Sequence, residues 1–236
     1  MYSNKIAIIV AGGTGQRMGS VVPKQFLEIE GKSILLHTID QFVNAFDDIS
    51  LVVVLPEGYI EEGKKLLKNR TKNPIQFIAG GETRFQSVKN GLTAVKEKSI
   101  VFVHDAVRCL LTPALVQRCY QQAVENGSAI PAVSSTDTVR IMENEKHHLF
   151  DREKVMLIQT PQTFQSEIIL AAFDQAYQPN FTDEANVVEA SGQPVFLVDG
   201  EFENIKITRP LDLAIATYVL TKGRVRRRVG LRWSQS

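Results

Sequence analysis

The strongest constraint on what this chain can become lies near its start, in the stretch Lys5 to Phe26, KIAIIVAGGTGQRMGSVVPKQF. An almost unbroken apolar run, Ile6-Ala7-Ile8-Ile9-Val10, opens into Ala11-Gly12-Gly13-Thr14-Gly15. A run this short and rich in β-branched residues reads as a strand covered on both faces, as in a parallel sheet. In the turn that follows, backbone can come close to a ligand because no Cβ stands in the way. Arg17 and Lys24 come next, with Pro23 fixing the chain just before the lysine. Amides that donate and cations that neutralise, set together at a strand end, suit a polyphosphate.

Two familiar phosphate motifs do not fit this loop. A Walker A loop needs Gly-Lys-Ser/Thr after its spacer, and Gly19 is followed by Ser20-Val21. A dinucleotide fingerprint needs G-x-G-x-x-G, and Met18 holds the third glycine position, with Gly19 one residue late. What remains, G-G-x-G-x-R-M-G followed by P-K-Q, resembles the signature of sugar-nucleotide-type nucleotidyltransferases.

Downstream, Ser33 stands as N-cap of an apolar-periodic helix to about Phe46, and Leu51 to Leu55 is a second buried strand ended by Pro56. Glu61 to Asn69 reads as a lysine-rich surface helix and Ile75 to Ile78 as a third strand. The order β-α-β-α-β predicts an α/β fold, a doubly wound, mostly parallel Rossmann-like sheet with right-handed crossovers. Ligands of such sheets sit beyond the carboxyl ends of the strands, where the glycine loop falls. A second glycine turn, Ala79-Gly80-Gly81-Glu82-Thr83-Arg84, precedes a helix from Phe85 to Lys96. It is either a tight strand-to-helix turn or a loop for the base of a nucleotide whose phosphates rest on the first.

The strand Ile100-Val101-Phe102-Val103-His104 runs straight into Asp105, with Arg108 three residues on. A lone carboxylate there is costly to bury without a partner. Asp105 is therefore a candidate for Mg²⁺ or a ribose hydroxyl, or else pairs with Arg108 and caps the next helix. Mg²⁺ takes one or two carboxylates and fills the rest with phosphates and waters. His104 reads as a buried, hydrogen-bonded histidine. Pro113 to Asn126, closed by Gly127, is a helix, and Ser128 to Val133 a short strand.

From Thr138 to Arg152 two apolar-alternating segments flank a polar tip, the pattern of a projecting β-hairpin. Its neighbouring His147 and His148 read as a solvated tip. Ile168 to Tyr177 is helical, Thr182-Asp183 precedes a helix from Glu184 to Ser191, Val195 to Val198 is a strand, and Leu211 to Thr221 the last helix. Lys206 lies within an apolar alternation. The division is one domain over 1–222, an arm at about 136–155, and a basic tail over 223–236, read as a solvated extension.

Several function classes recede on composition. A formal net charge of +1 over 236 residues gives no global field toward nucleic acid or membrane. Cys109 and Cys119 offer neither a disulfide framework nor metal spacing, so a reducing cytoplasm is the expected compartment. The first strand follows Met1 too closely for a signal peptide, and no apolar run is long enough to span a bilayer.

Taken together, AGGTGQRMG…PKQF, GGETRFQSV, VHDAVR, TPQTF, TDEA and NIKITRP resemble the 2-C-methyl-D-erythritol 4-phosphate cytidylyltransferase family, over about residues 5–221. Ribitol-5-phosphate cytidylyltransferases share much of the pattern and are the alternative; NIKITRPLDL looks more like the methylerythritol branch. The resemblance implies transfer of CMP from CTP to a sugar-alcohol phosphate, with Mg²⁺, on a nucleotidyltransferase-type sheet. It implies that Ala11, Gly12 and Gly13 approach the nucleotide and that Arg17 and Lys24 stabilise charge on the triphosphate. Gly81, Glu82 and Ser87 would recognise cytosine, and Asp105 and Arg108 would sit at the ribose and acceptor side. Thr182 and Lys206 would hold the acceptor phosphate. Thr138 and Arg152 would reach across from the arm of a partner subunit, so a homodimer with shared sites is implied. In two places the chain departs from the family: Cys109 stands where a proline usually follows the arginine, and the segment from Thr138 to Arg152 is short. Two further alternatives are a nicotinamide-dependent oxidoreductase, for which Asp40 is the only nearby ribose-binding acid, and a nucleic-acid binder acting through the arginine-rich tail.

Overall fold

The computed structural model describes residues 2–12 and 23–229, the last of them, from Gly223 on, as backbone only. Strand β1 (Asn4–Val10) lies inside an eight-stranded sheet and is flanked on both sides by parallel neighbours. These are β4 (Ser50–Leu55), with Ile8 opposite Val52, and β6 (Ser99–Asp105), with Ile8 opposite Val103. Between β1 and β4 come the short hairpin strands β2 (Glu28–Ile29) and β3 (Lys32–Ser33), then helix α1 (Ile34–Ala45). Helix α2 (Ile60–Leu67) leads to β5 (Ile75–Ala79), parallel to β4. Helix α3 (Arg84–Leu92) returns to β6.

After β6 the sheet changes direction. Helix α4 (Pro113–Asn126) leads to β7 (Ser128–Ser134), followed by the hairpin β8 (Val139–Glu143) and β9 (Lys146–Phe150). Edge strand β10 (Met156–Ile158) pairs antiparallel with β7, and β11 (Gln162–Gln165) inserts antiparallel between β6 and β7. Helices α5 (Ser166–Ala172) and α6 (Glu184–Ala190) follow. Strand β12 (Leu197–Asp199) adds parallel to β7, and α7 (Pro210–Val229) closes the described chain. The strand order is β10-β7-β11-β6-β1-β4-β5.

This is the mostly parallel, doubly covered sheet that the apolar runs predict. Successive side chains of a strand face opposite sides. Accordingly Ala7 and Ile9 join one core, packed by Leu35 and Phe42 of α1 and by Leu115 and Cys119 of α4. Ile8 joins the other, packed by Val88 of α3, Ile169 of α5 and Val187 of α6. Every residue of β6 is buried.

Local signals fix several element ends. The Ser33 side chain accepts from Leu36 N, and the Thr112 side chain, just ahead of Pro113, accepts from Leu115 N. Gly127 adopts φ +91° at the end of α4, a left-handed position where a Cβ is unfavourable. In the arm, Asn144 and Glu145 take φ 47° and 65°, matching the right-handed twist of a two-residue hairpin. The last helix does not stop near Thr221; its backbone continues to Val229, so the front of the basic tail is helical. Residues 230–236 lie outside the described chain.

Helix α3 seats closely on the sheet. A Cβ added at Gly91 would stand 2.7 Å from Ile8 Cγ2 and 3.0 Å from Val54 Cγ2, both on stiff, buried β-branched side chains. Alanine is worth about 1 kcal/mol over glycine inside a helix, but overpacking a core costs about 1–3 kcal/mol. Gly91→Ala is therefore expected to destabilise, by about 1–2 kcal/mol. A lower urea midpoint at unchanged slope will show it, and a higher midpoint would refute the close seating.

Candidate active site

The two glycine turns lie at the carboxyl ends of β1 and β5, the strands on either side of β4. Ala11 N donates to Val54 O at 2.9 Å and Gly80 N to Leu55 O at 2.8 Å. Ser87 is buried between them: a Cβ on Gly12 or on Gly80 would each come within 3.1 Å of its Oγ. That hydroxyl accepts from Gly81 N at 3.1 Å and donates to Thr83 O at 3.0 Å. Gly12, Gly81 and Ser87 are thus brought together by the fold, with Glu82 exposed beside them. The Thr83 side chain caps α3 by accepting from Gln86 N. Gln25, buried beside Lys24, donates to Ala11 O at 2.7 Å and pins the end of β1. Lys24 Nζ donates to Thr208 O at 3.3 Å, which sets it near the segment that carries Lys206. Gly13 and Arg17 lie outside the described residues.

Asp105 ends β6, directly across the sheet from Val10. Its side chain is one-tenth exposed and, among the described residues, is met by three cations. Arg84 donates to Oδ1 through Nη2 at 3.2 Å and Nε at 3.4 Å. Lys206 Nζ lies 2.8 Å from Oδ2, and Arg108 Nε 3.7 Å from the same oxygen. Burial alone would raise the Asp105 pKa, but Arg84, then Lys206 and Arg108, hold it well below the usual carboxylate range. The pairing of Asp105 with Arg108 that the sequence allows is present, within a larger cluster. Lys206 sits in an irregular segment between buried Asn204 and Ile207, its side chain half-exposed. Arg108 Nη1 donates to Asn204 O at 2.8 Å, tying the two segments.

Two members of the cluster were not singled out in the sequence. Arg84 also grips Glu184, whose side chain is only 1% exposed: Nη1 bonds Oε1, and Nη2 bonds Oε2 at 3.1 Å. Burial works against the charge on Arg84, but Glu184 and Asp105 outweigh it and its pKa rises. The only sequence sign was negative: Arg84 opens an amphipathic helix yet has no acid at helical spacing nearby. Glu184 opens α6, and it is Asp183, rather than Thr182, whose side chain caps that helix by accepting from Asn186 N at 2.9 Å. Thr182 stands exposed just ahead of this cap. Thr138 and Arg152 are exposed at the base of the arm, where Arg152 Nη1 donates to Thr136 O at 3.1 Å. No hydrogen bond or ion pair among the described residues links them to the Asp105 cluster.

His104 is fully buried, with Nδ1 3.0 Å from Thr160 Oγ1 and Nε2 3.2 Å from Arg108 O. It supports the cluster from beneath. Burial pushes the Cys109 and Cys119 thiols up to about 12, so neither is a thiolate nucleophile. Among the described residues no group of three or more His, Cys, Asp or Glu is placed to hold a metal. No described helix is long and apolar enough to cross a membrane.

Two glycine turns and three cations gathered at the carboxyl edge of the sheet have the chemistry that suits phosphorylated ligands. Comparison with known proteins gives the family. The 2-C-methyl-D-erythritol 4-phosphate cytidylyltransferase family profile matches residues 5–222. The chain belongs to this family. It is 42% identical over 217 residues to the Bacteroides fragilis enzyme of that name, covering 92% of this chain and 99% of the relative. The Bacteroides thetaiotaomicron enzyme is 43% identical over 214 residues. Among solved structures, the 4-diphosphocytidyl-2C-methyl-D-erythritol synthase of Anaerococcus prevotii superposes with a TM-score of 0.80 at 28% identity, over 92% of this chain and 99% of that one. The Thermus thermophilus cytidylyltransferase gives 0.73 at 30% identity over 94% and 100%. The chain is therefore a nucleotidyltransferase of the methylerythritol branch, and the ribitol and oxidoreductase alternatives fall away.

His104 supplies a pH test of the buried cluster. Burial pushes its pKa down to about 3 from an ordinary 6.5. Between those values the unfolded chain binds a proton that the folded chain does not, so stability falls as pH drops below 6.5. Its share of the slope is at most about 1.4 kcal/mol per pH unit. Urea unfolding at several pH values should show a shallower slope for His104→Asn than for wild type. Equal slopes would mean that His104 is not held neutral.

Proposed function

We propose that the chain transfers CMP from CTP to 2-C-methyl-D-erythritol 4-phosphate across the edge of the sheet that carries Gly12, Gly81 and Asp105. The carrying observation is the charge balance there: Arg84, Arg108 and Lys206 face Asp105 and Glu184, three cations to two carboxylates. The nucleotide lies over the two turns, with Ala11, Gly12 and Gly13 along it and Gly81, Glu82 and Ser87 at the cytosine. Arg17 and Lys24 meet the triphosphate. Asp105 and Arg108 face the ribose and the acceptor, and Thr182 and Lys206 hold the acceptor phosphate.

A phosphate oxygen of the acceptor attacks the α-phosphorus in line. A new P–O bond forms, the bond to the bridging oxygen of the β-phosphate breaks, and pyrophosphate leaves. The nucleophile is already an anion, so no base is needed, and the protein's contribution is positioning and charge neutralisation. Asp105 has both oxygens engaged by cations, which fits poorly with direct metal ligation. Mg²⁺ is instead assigned to the CTP phosphates, a ligand set it favours. When bound it neutralises part of the triphosphate charge.

We further read the protein as a cytoplasmic homodimer with shared sites, Thr138 and Arg152 serving the partner. Support comes from the apolar residues left exposed on the arm and the edge strand: Met142, Leu149, Met156 and Leu157 are each 41% exposed or more. An open edge strand with such side chains is a ready surface for a second copy.

Pyrophosphate release from CTP should depend on methylerythritol phosphate, stop with a chelator and return with Mg²⁺; release without the acceptor would sink the assignment. Lys24→Ala should lower kcat on the order of 10²–10³-fold, the cost of removing one donor to developing charge. Mixing inactive Lys24→Ala and Arg152→Ala subunits should restore roughly a quarter of wild-type activity, since half the dimers formed at random are mixed and each has one intact site. No recovery after proven subunit exchange would exclude the shared site.

A further inference from the structure

The Arg84 guanidinium joins two parts of the site that are far apart in the chain. One side of it holds both oxygens of Glu184, at the start of α6 and two residues after Thr182. The other holds Oδ1 of Asp105, leaving Oδ2 to Lys206 at 2.8 Å and, more distantly, to Arg108 Nε at 3.7 Å. Arg84 itself opens α3, directly after the Gly80-Gly81 turn. Aromatic packing also holds α3 nearby, because Phe85 stacks on Phe181, three residues before Glu184, at 5.6 Å and on Phe173, at the end of α5, at 4.8 Å. Glu184 is almost wholly buried and touches no surface where a substrate would meet it.

We propose that Glu184 is a positioning residue for the acceptor: by occupying one side of Arg84 it limits that guanidinium to Oδ1 of Asp105, so that Oδ2 stays on Lys206 and fixes the ammonium relative to the nucleotide turn. A planar guanidinium satisfies its donors in a fixed fork. Without the Glu184 charge, its freed prong turns to the nearest remaining carboxylate, which is Asp105. Oδ2 is then drawn from Lys206, whose half-exposed side chain is free to wander. The effect falls on the acceptor, because the hydrogen bonds of the nucleotide turn run through Ser87 and Thr83 and do not pass through Glu184.

This inference rests on Lys206 holding the acceptor phosphate, as proposed above. The test is steady-state kinetics of Glu184→Gln in both substrates, beside Lys206→Ala. Glu184→Gln should raise the acceptor KM roughly tenfold, the effect of loosening one charged hydrogen bond, and leave the CTP KM within about twofold. The double variant Arg84→Gln with Glu184→Gln restores the original charge balance and frees Oδ2, so its acceptor KM should lie closer to wild type than that of Glu184→Gln. Glu184→Asp, which keeps the charge on a shorter stem, covers the case in which the neutral variant does not fold, and should raise the acceptor KM selectively but less. If Lys206→Ala leaves the acceptor KM unchanged, the proposed role of Lys206 fails. If Lys206→Ala raises it while both Glu184 variants change only thermal stability, or weaken both substrates equally, Glu184 is structural and the positioning role is overturned.

Discussion

The site depends on how one buried carboxylate is neutralised. Asp105 ends the most enclosed strand of the sheet, and a carboxylate there is tolerable only if charge of the opposite sign reaches it. Three cations do so from three separate elements: Arg84 from α3, Arg108 from the loop after β6, and Lys206 from the irregular segment before α7. Packing and backbone bonds hold these segments in place, and the carboxylate gathers their cationic side chains at the end of β6. Buried ion networks add little net stability, because desolvation roughly offsets attraction. What the network supplies is position. It fixes a surplus of positive charge at the carboxyl edge of the sheet, beside the two glycine turns.

On the proposed placement of the substrates, the same distribution of charge also serves to bring two anions together. A phosphate attacking a triphosphate must overcome repulsion, and a site that is already positive before substrate arrives spends nothing on reorganisation during the reaction. Asp105 lowers the positive charge of the cluster without abolishing it. Two carboxylates against two cations would leave the site neutral, and three cations without any carboxylate would repel one another in a buried place. The arrangement of three to two lies between those limits.

Much of the fold could be read from short-range pattern. Apolar runs such as Ile6–Val10 and Leu51–Leu55 give buried parallel strands because a doubly covered strand has no wet face to alternate with. The limits of α1 and α4 follow from Ser33 and from the Pro113 and Gly127 pair, since these residues satisfy or end helical backbone locally. The antiparallel insertion of β11 between β6 and β7 was not legible, because strand pairing is decided by segments distant in sequence. The site divides in the same way. Gly12, Gly81 and Asp105 stand out as breaks in apolar pattern after strands, and Lys206 as a charge within an apolar alternation. Arg84 and Glu184 were not, because each looks like an ordinary charged residue at the start of a helix, and only the fold brings together two positions 100 residues apart.

The loop that carries Arg108 shows how packing can replace a covalent restraint. A proline at position 109 would fix φ and limit the loop by its ring. Cysteine gives no such restraint, yet Cys109 is fully buried in a cluster with Ile29, Ile34, Leu110 and Ile207. Backbone bonds close the loop on either side: Arg108 N donates to Asp105 O at 3.0 Å, and Ile207 N to Val107 O at 3.0 Å. The second bond joins this loop directly to the segment of Lys206. The loosening that loss of the ring would bring is thus opposed by burial of a small apolar side chain and by a shared backbone bond. The two cations that meet Oδ2 of Asp105 therefore belong to one packed unit, and a substitution that enlarged residue 109 would disturb both together.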